Sequence, residues 1–141
     1  MDLPNFYSRA AGNALVCILA IGLSVCSAGP LVGDETGKLL AELVRTSLEY
    51  DLYNARCRGN AASTKINDSN RLFVSKYSIT ANQVINRYID KDEFAARSAM
   101  EQDFLQKISR MGGCKMAKQK GLQQELDQNY RRLFDQVSNL P

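Results

Sequence analysis

Apolar residues recur at helical spacing along most of the chain, and few stretches alternate as a strand would require. Leu40, Val44, Leu48 and Leu52 repeat every four positions, flanked by Leu39, Leu43 and Tyr53. That stripe is wide enough for a deeply buried face. Glu42, Arg45 and Glu49 fall on the other side at spacings that allow weak ion pairs. The pattern predicts a helix from Lys38 to near Cys57. Arg56 and Arg58 suit its negative end, and Gly59 can terminate it.

Residues 60–67 are small and polar and read as a loop. Asn67 or Asp68 is expected to cap a short helix carrying Leu72, Phe73 and Tyr77; Asn67-Asp68-Ser69 also has the form of a glycosylation acceptor. Thr80-Ala81-Asn82-Gln83 is a capping box, in which hydroxyl and amide each serve the other residue's backbone N–H. It opens a helical turn or two bearing Val84, Ile85, Tyr88 and Ile89. Asp90-Lys91-Asp92-Glu93 repeats the form, with Asp90 as the expected cap. Phe94, Met100, Phe104, Ile108 and Met111 follow at helical spacing, and Glu93, Arg97 and Glu101 form a surface ladder. Gly112 can adopt the left-handed conformation that closes this helix. A last helix is then expected through Met116, Leu122, Leu126, Tyr130, Leu133 and Val137, almost to Pro141. Helical periodicity assigns most of the aromatic residues, Phe94 included, to packing. The expected fold is all-α: a small bundle of about four helices, one short or broken, spanning residues 38–141.

The first residues follow a different pattern. Residues 14–26 are almost wholly apolar, Arg9 precedes them, and Cys26-Ser27-Ala28 supplies small residues. This is the layout of a secretory signal peptide cleaved after Ala28, followed by a flexible lead-in over residues 29–37. The apolar run is shorter than the roughly 20 residues a membrane-spanning helix needs. Leu23-Ser24-Val25-Cys26 resembles a bacterial lipobox but departs from it at Val25, where a small residue belongs. A retained N-terminal helix or a lipidated Cys26 is therefore the alternative to cleavage, and would be the chain's one attachment to a membrane. Each of these readings places the remainder in the periplasm or outside the cell.

That compartment makes the cysteines informative. Of four, Cys17 and Cys26 lie in the signal segment, leaving Cys57 and Cys114. Two cysteines in an exported domain are expected to pair. Closing so long a loop stabilises a fold by about 4 kcal/mol in the chain-entropy view.

Candidate chemistry is sparse. The chain has no histidine, so the commonest metal ligand and general base is missing. Two lone cysteines do not make a zinc set. Asp90-x-Asp92-Glu93 lacks the glycine and the distant glutamate of a calcium loop. Ser63 with Lys65, or Ser75 with Lys76, gives no warrant for a catalytic pair from sequence position alone. Phosphate-cradling glycine motifs are absent. No cofactor, metal or enzymatic activity is expected. The formal net charge of +3 falls well short of a nucleic-acid binder's basic footprint.

Two surfaces remain as candidates. Lys115, Lys118 and Lys120 are expected in the first turns of the last helix, where the macrodipole is positive. The disulfide would bring Arg56 and Arg58 to the same end, with Arg110 nearby, forming a possible anion or partner site. Of Tyr50 and Tyr53, one is expected at the surface as an interface residue. The functional expectation is an exported, non-enzymatic binding protein of a bacterial envelope, of the inhibitor, immunity, chaperone or secretion-accessory kind, with another protein as partner. The alternative is a membrane-anchored structural component.

Overall fold

Six helices and no strand form among residues 33–141, which a computed structural model describes. They are α1 (Asp34–Arg58), α2 (Thr64–Tyr77), α3 (Ala81–Tyr88), α4 (Glu93–Met111), α5 (Gly113–Gln119) and α6 (Leu122–Asn139). The expected signal segment and the first residues of the expected lead-in lie outside the described residues.

α1 is the spine: each of the other five helices packs on it. Its wide apolar stripe is the cause. Leu40, Leu43 and Val44 are fully buried on several sides at once. Two apolar clusters lie along the spine. The larger one gathers Leu40, Leu43 and Val44 with Phe73, Ile85, Met100, Leu133 and Val137. The smaller one gathers Tyr53 with Phe104, Ile108, Ala117, Leu122 and Leu126, and the two cysteines pack against it. Cys57 and Cys114 are disulfide-bonded, with their Cα atoms 5.3 Å apart. The bridge ties the end of α1 to α5, not to the final helix.

Helix boundaries differ from the sequence reading in four places, each for a physical reason. α1 starts at Asp34 rather than Lys38, because Asp34 and Glu35 complement its positive end and Lys38 bridges back to Asp34 at 2.8 Å. The expected lead-in therefore ends before Asp34. Gly37 is consequently inside the helix, where the Tyr88 ring lies so close that a Cβ would overlap it.

α2 starts at Thr64, so Asn67 and Asp68 are interior residues rather than caps. Ser69, the third residue of the acceptor-like triplet, is fully buried. The cap comes from α1. Buried Asp51 accepts hydrogen bonds from Lys65 N–H at 3.1 Å and Ile66 N–H at 3.0 Å, with the Thr64 hydroxyl at 3.4 Å.

The capping box of α3 forms as expected, Gln83 N–H donating to Thr80 Oγ1 at 3.2 Å and Thr80 N–H to Gln83 Oε1 at 2.8 Å. At α4 the cap is Asp92, which accepts from Ala95 N–H at 3.0 Å, while Asp90 accepts from Asp92 N–H at 2.9 Å. The acidic run is thus a two-step turn with its cap shifted by two residues. Finally, the expected last helix is broken. Gly121, at φ 76°, separates the seven-residue α5 from α6, because a left-handed glycine ends one helix and lets the chain restart in a new direction.

Candidate functional site

The basic end anticipated from sequence is only partly assembled. The disulfide does carry Arg56 and Arg58 to the neighbourhood of α5. However, Lys118 sits in the last turn of that short helix and Lys120 is its C-cap. Cations there offset the negative end of a dipole and do not contribute to a positive one. Arg58 donates to Asn54 Oδ1 at 3.2 Å, Arg110 to Gln106 Oε1 at 3.2 Å and Lys120 to the Met111 carbonyl at 3.4 Å. Arg56, Arg110, Lys115, Lys118 and Lys120 are all exposed.

The tyrosine pair separates more clearly. Tyr53 is 2% exposed and belongs to the smaller core cluster, so its ring is taken up by packing within the chain. Tyr50 is half-buried, its ring 6.4 Å from that of Tyr130 on α6.

That second ring leads to the site. α2 and α6 both lean on α1 and leave a groove of about 720 Å³ between them, lined by Lys65, Asp68, Arg71, Leu72 and Ser75 from α2 and by Tyr130, Arg131, Phe134 and Asp135 from α6. The two helices are pinned at both ends of the groove. At one end the Lys65 ammonium lies 4.5 Å from the Tyr130 ring centre and 5.2 Å from that of Tyr50. At the other, Lys76 donates to the Ser138 carbonyl at 2.6 Å and to that of Leu140, and the Tyr77 hydroxyl donates to the Val137 carbonyl at 2.7 Å. These donors take up carbonyls that the end of α6 leaves free. They also commit Lys76 to a structural task.

The floor is rigid. Tyr130 and Phe134 stand one turn apart with ring centres at 5.6 Å. Beneath it, Ser69 of α2 pairs with Ser47 of α1 at 2.8 Å, and Ser47 donates to the Leu43 carbonyl at 2.6 Å. These buried hydroxyls join α2 to α1 under the groove. Burial pushes the Tyr130 phenol up to about 12, partly countered by the Ser69 hydroxyl. Burial raises the Tyr77 phenol as well.

Charge along the rim is uneven. Arg131 is held by Asp127 at 2.8 Å, and Arg71 approaches Asp68 only at 3.9 Å. Lys65 and Asp135 have no ion-pair partner among the described residues. A second, more polar recess of about 400 Å³ continues beside the groove, with Tyr50, Gln123, Gln124, Asp127 and Gln128 around it and Arg131 shared. An apolar floor, an ammonium fixed over aromatic faces and free charges of both signs can grip a segment that is apolar in the middle and charged beside it.

Sequence reasoning missed this groove. Its one signal was the mixed face of α2, where Lys65, Asp68, Leu72 and Ser75 share one side at helical spacing while lacking a uniform apolar character. Among the described residues no group of three or more potential ligands could hold a metal, and no helix is long and apolar enough to cross a membrane. No protein-family model, curated protein sequence or solved structure matches this chain.

Proposed function

We propose that this chain is an exported, non-enzymatic binding protein of a bacterial envelope, and that it takes a protein partner in the groove between α2 and α6. The observation that carries the reading is Lys65. Its ammonium stands over Tyr130 and Tyr50 at the groove's mouth, without a carboxylate partner among the described residues. A cation posed in this way above an aromatic floor suits recognition, because ring and ammonium attract while the charge stays available. Export is supported by the Cys57–Cys114 bridge, since such bonds persist mainly in oxidising compartments. Residues 1–28 would be the signal that directs it there.

Photo-crosslinking in living cells tests the reading. A benzophenone side chain at Ser75 should join the protein to one discrete partner, and the same group at Arg110 should not. Products from position 110 with none from 75 would move the binding surface to the basic end and overturn the assignment of the groove. A product mass retaining residues 1–28, or carrying lipid at Cys26, would favour the anchored component instead.

A further inference from the structure

Phe94 is 85% exposed, although its helical spacing predicts a core position. Six other aromatic residues at similar spacing, Phe73, Tyr77, Tyr88, Phe104, Tyr130 and Phe134, are buried or packed against a core cluster. Phe94 is also held firmly where it stands. It is the second residue after the Asp92 cap, in the first turn of α4. Arg97, three residues on, braces the corner by bonding Glu93 at 3.1 Å and Asn82 of α3 at 2.7 Å. Just before it in the chain come the exposed Asp90, Lys91 and Asp92, and Lys91 has no ion-pair partner among the described residues. An exposed phenyl ring on a rigid corner, with charges of both signs beside it, has the chemistry that the α2–α6 groove lacks.

We propose that the occupant of the groove is a second copy of this chain: Phe94 of one copy seats on Leu72, Tyr130 and Phe134 of the next. The Asp90 and Asp92 carboxylates then face Lys65, and Lys91 faces Asp135. The match is one of composition: each surface pairs apolar side chains with charges of both signs, Phe94 with Asp90, Lys91 and Asp92 on the knob, and Leu72, Tyr130 and Phe134 with Lys65 and Asp135 in the groove. On α6, Asp135 lies about 7.5 Å along the axis from Tyr130, the ring under Lys65, so the groove's two free charges flank its floor. This inference rests on the groove being a binding surface. Knob and groove are different patches, so the contact is heterologous and is either repeated from copy to copy or closed by reciprocal exchange. One aromatic ring buries about 150–250 Å², far below the roughly 1,200 Å² of a stable interface. The association is therefore weak and concentration-dependent.

Sedimentation velocity on the native protein, in the form the cell accumulates, tests this from about 10 µM to about 1 mM, where small contacts assemble. The sedimentation coefficient should rise with concentration. Phe94→Ala, which cannot disturb the core from an exposed position, should weaken association about tenfold or more. Ser75→Trp, filling the groove from its rim, should do the same, with an unchanged circular-dichroism melt showing that it folds. Mixing the two variants should restore association, limited to a one-to-one pair, because only one has a usable groove and only the other a usable knob. A parent chain that stays monomeric throughout, a Phe94→Ala variant that associates like the parent, or a mixture that forms no pair would each overturn the proposal. If the parent stays monomeric while the Ser75 crosslinker still captures a different protein, the binding reading stands and the self-assembly inference alone fails.

Discussion

Asp51, in the C-terminal half of α1, accepts a hydrogen bond from the backbone N–H of Ile66 at 3.0 Å across a sequence gap of fifteen residues. The first turn of α2 leaves N–H groups without helical partners, and Ser63, its N-cap, makes no side-chain bond to them. A buried carboxylate on the neighbouring helix does that work. It fixes the start of α2 against α1 and so sets the position of Lys65, whose own N–H donates to Asp51 at 3.1 Å. The mouth of the groove depends on a cap supplied from another helix.

Asp51→Ala should therefore cost about 2 kcal/mol in urea unfolding, the usual size of a lost cap plus stranded buried donors. Asp51→Asn, which keeps one oxygen acceptor, should cost less. The crosslinking yield from Ser75 should fall in both variants, following the displacement of α2. An Asp51→Ala chain as stable as the parent would show that water replaces the carboxylate and that the cap is dispensable.

The closeness of Gly37 to the Tyr88 ring makes a second prediction. Gly37→Ala normally favours a helix, by about 1 kcal/mol over glycine. Here the methyl group must displace the ring, and overpacking of this kind costs about 1–3 kcal/mol. The melting temperature should fall. Tyr88→Ala removes packing of its own, but it should cost less in the Gly37→Ala background than in the parent, so that the two changes are non-additive. Strictly additive effects would contradict the contact.

Glu49 provides a pH dependence. Burial raises its carboxyl above the ordinary value of 4.5, opposed by Lys107 and reinforced by Glu125. Lys107 lies between the two acids, 4.0 Å from Glu49 and 3.7 Å from Glu125. With the native value above the unfolded one, the protonated form is favoured on folding. That contribution is fully present below about pH 4.5 and is lost as pH rises through the native value. At neutral pH Glu49→Gln should be at least as stable as the parent, with the difference vanishing below about pH 4.5. Chemical denaturation at a series of pH values measures this, and a Gln variant that is less stable only at neutral pH would reverse the assigned sign.

Much of the fold was legible because its determinants are local. The Thr80–Gln83 box, the terminators Gly59 and Gly112 and the stripe on α1 each act within a turn or two of their own position. The Cys57–Cys114 pairing was legible from the expected compartment and the cysteine count. Other features depend on residues distant in sequence. The start of α2 was misplaced because its cap is Asp51, and periodicity could assign Phe94 to a helix face without showing whether another helix covers it. The split at Gly121 was overlooked because apolar residues continue in step on both sides of it. The groove lay furthest from view. Lys65 and Tyr130 meet only because α2 and α6 lean on the same spine, and no pattern within either helix announces the other.

The most direct test of the account is the intact mass of the protein isolated from fractionated cells, before and after treatment with a thiol-alkylating reagent. An exported binding domain predicts an envelope species beginning at Gly29, with Cys57 and Cys114 inert to the reagent until a reductant is added. A cytoplasmic species that begins at Met1 and is alkylated at both cysteines without reduction would contradict it.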